Sequence, residues 1–159
     1  MSSMEQLYQQ LILDHAKDPH GKGLAEGHDA ESFQVNPTCG DEVRLRVHLA
    51  DGAATPTLDH VSWEGQGCSI SQASISVMSE LVTGATVEDA EGLGETFRAL
   101  MQARGEGLDE TAEDRLGDAT AFTGVAKYPA RIKCALLGWA ALRDALAQAT
   151  VPTTKEEER

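Results

Sequence analysis

The chain has 159 residues, and 13 Lys and Arg against 26 Asp and Glu leave a formal net charge of −13. A field of that sign repels phosphate backbones and anionic lipid, which argues against nucleic-acid and membrane-surface partners. A composition of 41% hydrophobic and 25% charged residues excludes a disordered chain, and no apolar run approaches the roughly 20 residues a membrane span needs.

In chain order, Met4, Leu7, Tyr8, Leu11, Ile12 and His15 share one face at helical spacing, which predicts an amphipathic helix ending before Asp18-Pro19. Glycines at 21, 23 and 27 make a loop. Phe33 and Val35 alternate ahead of the turn-forming Asn36-Pro37, and Val43, Leu45, Val47 and Leu49 alternate with polar residues as a half-buried strand. Asp51-Gly52 opens a turn toward a partner strand over 58–63.

Gly65-Gln66-Gly67-Cys68 closes that strand, and Ser69 or Ser71 is placed to cap a helix carrying Ile70, Ala73, Val77, Met78 and Leu81. Thr86 caps a further helix bearing Val87, Ala90, Phe97, Leu100 and Met101. Residues 105–118 hold six acids, one Arg and three glycines, which reads as an exposed insertion or loop. Pro129 suits a first helical position, and Ile132, Ala135, Leu136, Trp139, Leu142 and Leu146 give the longest apolar stripe. Strands first and helices later predict an α+β fold, a small antiparallel three-stranded sheet covered on one side by helices. The expected organisation is a single domain over 1–149 and a flexible acidic tail over 150–159.

No basic start, apolar block and small-residue cleavage site opens the chain, so a cytoplasmic protein with reduced thiols is expected. The three cysteines lie at element boundaries: Cys39 in a turn, Cys68 where a strand meets a helix, and Cys134 early in the last helix. Helix starts favour thiolates. Cys134 falls off the main apolar stripe, so packing does not readily explain it, and Arg131 and Lys133 flank it with charge that favours a thiolate. Gly40 lets Cys39 and Asp41 turn toward one point. Three thiols and one carboxylate suit a tetrahedral Zn²⁺ site. The separations 39–41–68–134 are not those of a zinc finger, so the residues alone support either a Cys₃Asp metal site or a reactive-thiol site. His15, His20, His28, His48 and His60 form no ligand-spaced pair and read as surface or packing residues. No phosphate-loop, nucleophile-elbow or dinucleotide motif is present.

Asn36-Pro37-Thr38-Cys39-Gly40-Asp41, Gly65-Gln66-Gly67-Cys68-Ser69-Ile70-Ser71-Gln72-Ala73-Ser74 and Ala130-Arg131-Ile132-Lys133-Cys134-Ala135-Leu136-Leu137-Gly138-Trp139 closely resemble three ordered motifs of the SufU/IscU family. The likeness covers about residues 4–148. IscU-type members, which are scaffolds for iron–sulfur cluster assembly, carry His immediately before the last Cys. Lys133 and the acidic 105–118 stretch instead resemble the SufU-type branch. That resemblance implies a zinc-dependent sulfurtransferase taking persulfide sulfur from a SufS-type cysteine desulfurase and passing it to a downstream iron–sulfur assembly scaffold. It places zinc ligands on Cys39, Asp41, Cys68 and Cys134, the sulfur-accepting thiol on Cys39, and a desulfurase contact on Arg131. Lys133 or Arg131 would offset the excess negative charge around the metal. The alternative is an IscU-like scaffold holding a [2Fe–2S] cluster.

Overall fold

A computed structural model describes residues 3–38 and 40–150. Of the tail expected over 150–159, residues 151–159 lie outside the described residues, as do the roles assigned to Cys39. The elements are α1 (Ser3–Lys17), β1 (Ala30–Asn36), β2 (Asp41–Leu49), β3 (Leu58–Gln66), α2 (Ser69–Val82), α3 (Val87–Gln102), α4 (Glu110–Leu116), a 3₁₀ helix (Gly117–Lys127) and α5 (Pro129–Ala149). The strands form an antiparallel sheet of order β1-β2-β3. This is the α+β architecture expected from the sequence, with α5 lying across β1 and β2 and α2 against β3.

The sheet buries Val43, Leu45, Val47, Leu58, Val61 and Trp63 against the helices, as the alternation of β2 requires. β1 differs from its apolar pattern. Phe33 and Val35 are exposed, and the strand buries Ala30, Ser32 and Asn36 instead. The reason is α5: Ser32 Oγ donates to Asp144 Oδ2 at 2.7 Å across that interface, while Phe33 stays outside beneath the Arg44 guanidinium.

In α1 the apolar stripe is buried only toward its C-terminal end. Met4 and Leu7 are exposed, whereas Ile12 and His15 are covered by α2. The 105–118 stretch is largely exposed, and irregular over 105–109, but it is not a loop throughout, since α4 occupies Glu110–Leu116. Asp109 caps α4 by accepting the Ala112 N–H at 2.8 Å, and Leu116 is fully buried. A single apolar anchor, Leu116, docks this short acidic helix, whose other faces are solvated. Phe97 of α3 stacks on Trp139 of α5 with centroids 4.9 Å apart and meets Phe122 edge-on, so these elements share the core with the sheet.

A candidate metal and thiol centre

Strand register builds the first side of the site. Glu42 of β2 pairs with Gln66 of β3, so Asp41, one residue earlier, lies beside Gly67 and Cys68, one and two residues past that pair. A Cβ on Gly67 would stand 2.8 Å from Asp41 Cγ and would also collide with Ser71 Oγ. Only glycine lets the chain pass this close to the carboxylate. Cys68 is the N-cap residue of α2, with no side-chain capping bond. The serines expected to cap do not do so: Ser71 Oγ instead donates to Cys68 O at 3.0 Å. The charge at this helix start comes from another strand. Asp41 Oδ1 accepts the Cys68 N–H at 3.2 Å, and Oδ2 stands 3.5 Å from Cys68 Sγ.

Packing of α5 on α2 supplies the second thiol. Ser74 Oγ donates to Ala135 O at 2.6 Å, and Gly138 lies so close to Ile75 that a Cβ there would enter its side chain. These contacts hold Cys134, in the second turn of α5, opposite the start of α2. Its Sγ lies 3.6 Å from Ala130 O. Cys134 is 7% exposed, so its placement off the simple stripe does not leave it outside the core. α5 is covered by the sheet on one side and α2 on another, which widens its buried arc beyond one stripe.

The ligand atoms of Asp41, Cys68 and Cys134 all lie within 4.8 Å of one another, with Asp41 and Cys134 buried and Cys68 exposed. Two thiols and a buried carboxylate at that range cannot all be anionic without a cation among them. Thiolate and carboxylate donors together suit a borderline-soft divalent ion such as Zn²⁺. Cys68 stands at the N-cap of α2, where the helix dipole favours a thiolate, and Cys134 lies in the second turn of α5. Among the described residues, no histidine joins this cluster.

Arg131 and Lys133 are exposed at the start of α5, and the Arg131 guanidinium lies over the Tyr128 ring at 5.1 Å. Arg131, three residues before Cys134, shares its side of the helix. Lys133 is turned about 100° away by helical geometry. Arg131 also lines a groove with Tyr8, Ile12, Ile70 and Tyr128, next to the start of α2. Ser74 and Gly67 support the site without a role read from the sequence, and Ser71, expected as a cap, supports it through Cys68 O. The signal for Gly67 was its place directly before a cysteine at a strand-to-helix junction.

Residues 7–148 match the family model described as NifU-like N terminal domain. The chain is 40% identical over 147 residues to the zinc-dependent sulfurtransferase SufU of Bacillus subtilis (strain 168), covering 92% of this chain and 94% of that one. It is 37% identical to the iron–sulfur cluster assembly scaffold protein IscU of Streptococcus pyogenes serotype M1, covering 92% and 86%. Among solved structures it is similar to a putative iron–sulfur cluster assembly scaffold protein for the SUF system from Fervidobacterium islandicum AW-1, with TM-score 0.72, 35% identity and coverage of 89% and 98%. The N-terminal part of a nitrogen-fixing NifU-like protein from Brucella abortus matches with TM-score 0.77 at 25% identity, over 99% of this chain and all of that one.

Proposed function

The chain belongs to the NifU-like N-terminal domain family, and from that premise we propose that it is a zinc-dependent sulfurtransferase. It accepts persulfide sulfur from a SufS-type cysteine desulfurase during iron–sulfur cluster assembly, in the cytoplasm. The observation that carries this reading is the convergence of Asp41, Cys68 and Cys134 at one point, together with the 40% identity to a protein named for that activity. Cys39, two residues before Asp41, is the fourth donor and the sulfur acceptor.

Zinc bound by Cys39, Asp41, Cys68 and Cys134 would keep thiols deprotonated at neutral pH without redox chemistry of its own. In the transfer, the Cys39 thiolate attacks the outer sulfur of the desulfurase persulfide. A new S–S bond forms on Cys39, the S–S bond on the desulfurase breaks, and its cysteine leaves as a thiolate. No external oxidant is needed, because the sulfur moves at an unchanged oxidation level. Cys68 and Cys134, fixed at helix starts, stay in place, and Asp41 keeps its hold on the Cys68 N–H. Arg131, exposed at the edge of the adjoining groove, contacts the desulfurase. A downstream assembly scaffold then takes the sulfur from Cys39.

A second reading has a specific observation behind it: 37% identity to a named assembly scaffold, and a thiol-rich donor set that also suits a [2Fe–2S] cluster. Lys133 in place of a histidine and the absence of any histidine from the described cluster favour zinc. Metal analysis of protein purified without added metal separates the two. One zinc per chain, lost in Asp41→Ala, together with stimulation of a cysteine desulfurase supports the sulfurtransferase. Iron with matching acid-labile sulfide supports the scaffold.

A further inference from the structure

A second group of donors lies at the opposite end of α2. His15 from the last turn of α1, His20 from the following loop and Glu80 from the last turn of α2 bring their ligand atoms within 4.8 Å of one another. Glu80 is 12 residues beyond Cys68, so this group is about 18 Å along the helix from the thiol centre. From it we infer a separate binding site for a divalent late first-row metal, Zn²⁺ in the first instance, held by two imidazoles and a carboxylate.

The distances fit a metal cradle and are long for charge-assisted hydrogen bonds. His15 Nε2 to Glu80 Oε1 and His20 Nε2 to Glu80 Oε2 are both 3.4 Å. Charge-assisted N–H···O bonds are shorter, about 2.7–2.9 Å. With metal–ligand bonds of about 2.0–2.1 Å, the edge of a tetrahedron is about 3.4 Å. Each imidazole is thus spaced from its own Glu80 oxygen as a neighbouring ligand would be, and all three residues fall within the 4.8 Å cluster.

The imidazoles are also oriented for this task. His15 Nδ1 lies 2.6 Å from Ser76 Oγ, and Ser76 is fully buried. The same Oγ accepts the His20 backbone N–H at 2.8 Å, and the His20 carbonyl accepts Trp63 Nε1–H at 2.8 Å. In the tautomer with Nδ1–H donated to Ser76 Oγ, His15 offers its Nε2 lone pair on the Glu80 side, and the Ser76 contact is the outer hydrogen bond that metal-binding histidines ordinarily make. His15 is nearly covered, while His20 and Glu80 are 53% and 43% exposed, so an ion enters from solvent and keeps water in its fourth position. Bound there, it fastens α1 and its following loop to the far end of α2.

The test is a Co²⁺ and Zn²⁺ titration of the full chain, with stoichiometry read beside the cobalt spectrum. Wild type takes up two equivalents, one with sulfur-to-cobalt charge transfer and one with only the weak bands of nitrogen and oxygen ligands. His20→Ala and Glu80→Gln, both at exposed positions, each lose the second equivalent, or bind it at least tenfold more weakly, and keep the first. Cys68→Ala and Cys134→Ala do the reverse, so failure of the thiol centre and failure of this site are told apart. A wild type that never exceeds one equivalent, or a nitrogen–oxygen signal retained by both His20→Ala and Glu80→Gln, overturns the inference.

Discussion

A single carboxylate, that of Asp41, touches both the backbone and the side chain of Cys68: Oδ1 accepts its N–H at 3.2 Å and Oδ2 stands 3.5 Å from its Sγ. Asp41 therefore joins the start of α2 and the thiol centre in one contact. Asp41→Ala removes a proposed metal ligand and strips the Cys68 N–H of its acceptor. The expected result is loss of most bound zinc and a stability loss of about 0.5–2 kcal/mol, the usual cost of losing a polar group at a helix start. Asp41→Asn keeps an amide oxygen for the N–H, so it retains more of the stability than Asp41→Ala while still losing metal. Zinc content and urea unfolding of the two variants side by side check this.

Gly67 makes the approach between Asp41 and Cys68 possible. Adding one methyl in Gly67→Ala drives a Cβ into the Asp41 carboxylate and Ser71. Overpacking of this kind costs about 1–3 kcal/mol, and here the strain falls on the Asp41 carboxylate and on Ser71 beside Cys68. Zinc affinity should fall at least tenfold, a larger proportional loss than the change in urea midpoint alone accounts for. Competition against a chelator gives the affinity.

The spacing of α2 and α5 sets where Cys134 meets Cys68. Gly138→Ala forces the helices apart at Ile75, again for about 1–3 kcal/mol. Ser74→Ala removes only its hydrogen bond to Ala135 O, for about 0.5–1.5 kcal/mol. Both lower stability, and Gly138→Ala also weakens zinc binding. Equal zinc affinity in wild type and Gly138→Ala would separate the helix contact from the site.

On the sheet face away from the helices, burial holds His48 below the ordinary histidine value, and the charge of His60 adds to that shift. His48 stacks on His60 with centroids 4.2 Å apart, its Nε2 meets Ser62 Oγ at 2.8 Å, and His28 and Asp29 lie near it. The unfolded chain then takes up this proton before the folded one as pH falls below about 6.5. Stability contributed by neutral His48 is complete above that pH and is lost as pH falls toward the lowered folded value. Glu31, held below the ordinary carboxylate value chiefly by its hydrogen bond to Arg46 and also by Arg44, acts only below about 4.5. His48→Gln should therefore show a shallower loss of stability between about pH 6.5 and 5 than wild type. Parallel urea titrations across that range measure the difference.

The sheet, the cap at Thr86, the helix start at Pro129 and the α+β layering were legible because each follows from local period or local turn chemistry. Residues 105–118 misled for the opposite reason. Six acids describe the solvated faces of α4, while its attachment depends on Leu116, a single residue that composition does not reveal. Phe33 and Val35 kept the strand period but not its sense, because the inner face of β1 is set by α5, more than 100 residues later. At the thiol centre, Asp41, Cys68 and Cys134 were identifiable from their motifs and positions at element ends. Their convergence depends on the register of β2 with β3 and on the packing of Gly138 against Ile75. The grouping of His15, His20 and Glu80 was not legible, since Glu80 is 60 residues further along the chain than His20 and only the packing of α1 on α2 unites them.

The most direct test of the central claim follows sulfur itself. A cysteine desulfurase loaded with a single persulfide is mixed with the zinc-bound protein, and the acceptor site is located by mass spectrometry under non-reducing conditions. The account predicts one added sulfur atom on Cys39, none on Cys68 or Cys134, and no transfer to Cys39→Ala. Sulfur accepted in full by Cys39→Ala, or appearing on Cys68 or Cys134 in wild type, would contradict it.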